Sequence, residues 1–71
     1  MRCEYDDGFK VDYSGSLQIT KGNDVNLFVS QGFLPDNVKN DLAAAAAHNS
    51  CSELKHAAQE ASDIIHNAWK H

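Results

Sequence analysis

Between Gly8 and Ser30 the chain alternates. Phe9, Val11 and Tyr13 are separated by Lys10 and Asp12, Leu17 and Ile19 by Gln18, and Val25, Leu27 and Val29 by Asn26 and Phe28. A period of two is the signature of a half-buried strand, because successive side chains point to opposite faces. Polar clusters containing glycine separate the runs at Asp6-Asp7-Gly8, Ser14-Gly15-Ser16 and Lys21-Gly22-Asn23-Asp24. Glycine accepts positive φ in such places, and Asp or Ser bonds the local backbone. The pattern predicts strands over 9–13, 17–20 and 25–30, a three-stranded antiparallel meander. It becomes four-stranded if residues 2–5 pair with the first of these around Asp7-Gly8. In the last strand Val25, Leu27 and Val29 point one way and Phe28 the other. A lone aromatic on the second face is expected to pack against a neighbouring loop or a terminal segment; the alternative is the centre of an exposed binding patch.

The period changes after Pro35. Proline cannot continue a ladder and suits a helix start, so a helix is expected from Asp36 or Asn37, either of which can cap, to about His48. Phe33 or Leu34 is placed to fold back on its first turn as a hydrophobic staple. Its inward stripe is Val38, Leu42 and Ala45, within a run of five alanines, 43–47. Alanine loses no side-chain entropy on entering a helix. The run therefore secures the helix, and some of it must face outward. Asn49 tolerates the left-handed conformation that ends a helix, and Ser50 with Glu53 forms a capping-box pattern for the next. From 50 to 71, Cys51, Leu54, Ala57, Ala58, Ala61, Ile64, Ile65, Ala68 and Trp69 recur at helical spacing. A link this short predicts an antiparallel helical hairpin. Its alanine-rich middle allows close approach, and Leu54, Ile64, Ile65 and Trp69 reach past it onto the sheet. The expected fold class is α+β: a meander over 1–34 and a helical hairpin over 35–71, in one small domain, with the hairpin on one sheet face and the other face more polar.

Composition bounds function more than fold. With 42% hydrophobic and 23% charged residues, the 71-residue chain is globular in character. The net charge is −4, and the six basic residues are scattered. Direct nucleic-acid binding, which rests on clustered Lys and Arg, is therefore not expected. No apolar run reaches the length of a membrane span, and no apolar leader stands at the start. A cytoplasmic location is the resulting expectation, with Cys3 and Cys51 as reduced thiols. A Cys3–Cys51 bridge, tying the first strand to the last helix, is the alternative.

Catalysis is not expected either. The chain has no G-x-S-x-G elbow, H-E-x-x-H, C-x-x-C, phosphate-cradling glycine loop or dinucleotide fingerprint. Four histidines raise a metal reading. Glu53 with His56, and Asp63 with His66, have i, i+3 carboxylate–imidazole spacing, but both pairs lie on the polar face of one helix with no matching pair elsewhere. His48 and Cys51 bracket the interhelix turn, and Cys3 would have to join them in space. Cys51 sits at a helix start, where the dipole lowers a thiol pKa, yet its place on the apolar stripe favours an inert core cysteine. The stripe of His56, Glu60, Asp63 and Asn67 reads as a solvated face. No cofactor or metal is expected.

The surface signal is acidic. Glu4, Asp6, Asp7 and Asp12 crowd the front of the chain and suit a basic protein partner. The expected function is a small acidic interaction protein that binds, and in one version inhibits, a nucleic-acid-handling protein, of the kind phages and mobile elements encode. Its contact residues would be Glu4, Asp6, Asp7, Asp12 and Phe28. The alternatives are a metal- or redox-responsive module built on His48, Cys51 and Cys3, and an obligate homodimer whose helices pair through the alanine surface.

Overall fold

The chain forms an antiparallel sheet of four strands in sequence order, β1 (Arg2–Glu4), β2 (Phe9–Tyr13), β3 (Ser16–Lys21) and β4 (Val25–Ser30), followed by α1 (Asp36–Ala47) and α2 (Cys51–Trp69). This is a computed structural model. It describes residues 1–22 and 25–69, and the side chains of all of these except 25, 26 and 69. The expected turn residues Asn23 and Asp24, the reach of the Trp69 side chain onto the sheet, and Lys70 and His71 lie outside the described residues.

Each strand follows from its alternation. The register sets Cys3, Val11, Ile19 and Leu27 in one row across the sheet, and Tyr13, Leu17 and Val29 in the next on the same face. Cys3, Phe9, Val11, Leu17 and Ile19 are buried there, and Tyr13, Leu27 and Val29 pack at the margin of the same core. Gly15, at the tip between β2 and β3, has φ of 83°, a backbone conformation that a side chain disfavours. The fourth strand is real: β1 pairs with β2 from Arg2↔Asp12 to Glu4↔Lys10, and the Tyr13 amide donates to the Met1 carbonyl at 2.7 Å. This pairing lies further along β2 than the Asp7-Gly8 region, because residues 5–8 are spent on the turn.

The two helices cover the core face. Val38, Leu42 and Ala45 of α1 and Leu54, Ala57, Ala58 and Ala61 of α2 are buried with the strand residues. Ala43, Ala44, Ala46 and Ala47 face outward, so within the alanine run only Ala45 is core. Asn49 takes φ of 49° between the helices, as its residue type suggests. The Glu53 amide donates to Ser50 Oγ at 3.2 Å, which is one arm of the capping box. The other arm is replaced: the Glu53 carboxylate turns to His48 Nδ1 at 2.9 Å, and the Ser50 amide donates to Ala45 O. At the start of α1 the capping position falls on Pro35, with no side-chain cap; the Val38 and Lys39 amides donate to its carbonyl. Leu34, 5% exposed, is the residue that folds back into the core, and Phe33 is left 83% exposed.

The expectation of two reduced thiols is overturned. Cys3 and Cys51 are joined in a disulfide, with Cα atoms 5.7 Å apart. Cys3 points to the core face of the edge strand β1, and α2 begins directly over it. The sheet order and the hairpin together bring two sulfurs 48 positions apart within bonding distance. Cys51 is therefore not an inert core thiol but a crosslink at the rim. No helix among the described residues is long and apolar enough to cross a membrane.

Candidate interaction surface

The sheet face turned away from the helices carries two rows that cross all four strands, with Ser16 opposite Ser30 beyond them. One is Arg2, Asp12, Gln18 and Phe28; the other is Glu4, Lys10, Thr20 and residue 26. Apart from Phe28 it is polar, as expected. The acidic residues singled out from the sequence do not form one patch. Glu4 meets Lys10 at 3.6 Å, and Asp12 stands half-buried opposite Arg2 and Gln18. Asp6 and Asp7 belong to the β1–β2 turn at the sheet end. Asp7 accepts from the Phe9 amide at 3.1 Å and from Lys55 Nζ at 3.4 Å.

That Lys55 is the centre of a structural knot. Its Nζ lies 5.0 Å from the Tyr5 ring centroid and 5.9 Å from that of Phe9, within range of a cation–π attraction. The Tyr5 hydroxyl donates to the Cys51 carbonyl. Partial burial raises the Tyr5 pKa from its ordinary value. With the disulfide beside it, this group welds the β1–β2 turn to the first turns of α2.

Of the trio weighed as a metal or redox site, both sulfurs are consumed by each other, and His48 is paired with Glu53. The bridge removes both thiolates from any ligand set. Among the described residues no group of three or more His, Cys, Asp or Glu side chains could hold a metal ion. His56, Asp63 and Asn67 are exposed and Glu60 is half-buried. Asp63 and His66 border an open hollow of about 550 Å³ between α2 and the sheet, which Asp7 and Lys21 also line.

The apolar surface is concentrated elsewhere. Phe28 is 67% exposed, which settles its environment in favour of an open patch rather than a loop contact. It does not stand alone. A groove of about 360 Å³ runs along the outer side of β4, lined by Leu27, Phe28, Val29, Phe33, Ile64 and Ile65 among others, all apolar. Four other hollows among the described residues each include charged side chains. Phe33 is presented by a single 3-10 turn, Gln31–Phe33, which is tied down because the Tyr13 hydroxyl donates to Gln31 Oε1 at 2.7 Å. β4 ends the strand order, so among the described residues no strand pairs with its outer side.

From sequence, Phe33 counted only as a staple, and Leu27, Val29, Ile64 and Ile65 only as core. The signal that could have found the groove is β4 itself. It is the last strand of a meander, hence an edge, and it contains no charge. Compared with protein-family models, curated proteins and solved structures, the chain matches none of them.

Proposed function

We propose that the chain is a non-enzymatic interaction protein that binds a macromolecular partner through the outer side of β4 and the flanking Phe28, Phe33 and Ile64. The observation that carries this reading is the gathering, among the described residues, of the large exposed apolar side chains at one sheet edge. Contiguous apolar surface on a small domain marks a contact site more often than chance exposure, and aromatic residues dominate the energetics of such sites. The neutralisation of Glu4 by Lys10 and of Asp7 by Lys55 weighs against an acidic contact surface, which moves the expected interface from the front of the chain to β4 and keeps Phe28. The Cys3–Cys51 bridge supports work in an oxidising setting rather than in the cytoplasm, since such bridges persist where thiols are not kept reduced.

Capture from an extract of the native source tests the surface. Phe28→Ser with Phe33→Ser should lose the captured partner, while Asp6→Lys with Asp12→Lys should retain it. The opposite result would return the interface to the acidic residues.

A further inference from the structure

We infer that the occupant of the β4 groove is a second copy of this chain, the two β4 strands pairing antiparallel about a twofold axis through Phe28. The inference rests on the reading of β4 as the binding surface and names what binds there.

The two sheet edges are not alike. β1 is three residues long, carries Arg2 and Glu4, and is fastened to α2 through Cys3. Short length and charge are how edge strands resist pairing with another chain. β4 is six residues long, holds unbroken register with β3 and contains neither charge nor proline. A net charge of −4 on each copy opposes self-association, and none of that charge is carried by β4.

The strand is also self-complementary. Side chains alternate, so two antiparallel strands that keep their helices on the same side must oppose odd residues to odd and even to even. Centring on residue 28 sets Phe28 against Phe28 of the second copy, Leu27 against Val29, and Asn26 against Ser30. From either end, 26–30 runs polar, apolar, aromatic, apolar, polar. Like therefore meets like on both faces: aromatic against aromatic on the open face, aliphatic against aliphatic beside the α2 ends. Cross-strand aromatic and aliphatic pairs are the stabilising kind.

The exposed rings supply about half of the area that a stable interface needs. A phenylalanine presents about 150–250 Å². With Phe28 and Phe33 67% and 83% exposed, two copies hold on the order of 600 Å² in four rings. A stable interface buries at least about 1,200 Å² in total. The remainder has to come from the β4 backbone, Ile64 and the exposed parts of Leu27, Val29 and Ile65 in both copies. Pairing uses up β4 in each copy and leaves only the blunted β1 edges, so the assembly stops at two.

Light scattering on the full chain with its bridge intact, across micromolar to millimolar concentration, should give twice the chain mass of 7.8 kDa. Phe28→Lys should weaken association by about 100-fold or more, giving the single-chain mass with unchanged circular dichroism. Independently of that variant, Phe28→Cys should form a covalent pair on mild oxidation, and Gln18→Cys, one strand inward on the same face, should not. A single-chain mass for the wild type throughout the range overturns the second copy and leaves the β4 surface to be judged by the capture experiment. A pair that ignores Phe28→Lys and crosslinks no better at 28 than at 18 overturns the β4 contact as well.

Discussion

Asp7 shows how one side chain couples a turn to a helix 48 positions away. The Phe9 amide does most to hold its carboxyl below the ordinary value; slight desolvation works against this, and Lys55 adds to it. A carboxylate whose pKa is lower in the folded chain stabilises the fold while ionised. The contribution is complete above the unfolded value and fades as pH falls through the folded one. Asp7→Asn keeps an acceptor for the Phe9 amide but loses the charge. It should melt below the wild type at neutral pH, and the two should converge in acid, below the usual carboxylate range. A gap that stays constant through that titration would assign the effect to the shape of the turn instead. The same residue shows where charge counting misleads: Asp7 reads as free acidic surface in the sequence, and only the folded chain brings Lys55 to it.

At the level of elements, the helical hairpin is held by small side chains. Ala58 and Ala61 of α2 are fully buried in the core shared with α1 and the sheet, so a larger side chain there would have to displace its neighbours. Ala58→Leu or Ala61→Leu should each cost about 1–3 kcal/mol in urea unfolding through overpacking, whereas Ala44→Leu, on the outward side of α1, should leave the midpoint nearly unchanged. Equal midpoints for all three would mean that the helices are not closely packed. The strands and helices were legible because each carries its own period: Phe9, Val11 and Tyr13 for β2, and Leu54, Ala58 and Ala61 for α2. Pro35 and Asn49 marked the joins by backbone restriction alone. Capping was less legible, since Glu53 has two acceptable partners, Ser50 and His48, and the choice depends on where the hairpin turn leaves the imidazole. The β4 groove was half legible. Phe28 stood out by facing the wrong way, but Phe33 and Leu34 compete for one core position, and only the path of the 3-10 turn decides between them.

For the whole molecule, the bridge and α2 act together. α2 starts over β1, where Cys51 holds Cys3, and its far end reaches β4, where Ile64 and Ile65 line the groove. Removing the bridge by Cys3→Ser with Cys51→Ser frees a loop spanning 48 positions, and loop-closure entropy sets the expected loss at about 4 kcal/mol. A domain of this length has roughly 4–11 kcal/mol in all. The double variant, like the reduced wild type, should therefore unfold at much lower urea, and matching midpoints with and without reductant would show the crosslink to be idle. The pairing itself could not be read from two cysteines 48 positions apart, because their proximity exists only once the meander and the hairpin are both built. That dependence has a consequence for biosynthesis. Cys3 is made early and Cys51 only after all four strands and α1 have been added, so during synthesis the strands are present before the bond can form. It closes most readily on a chain whose last helix already lies across the first strand, because in an unfolded chain the two thiols meet only at the entropic cost of closing a long loop. The crosslink is thus favoured by the finished fold more than the fold is directed by the crosslink, and its main effect is to narrow the ensemble to which the chain can unfold.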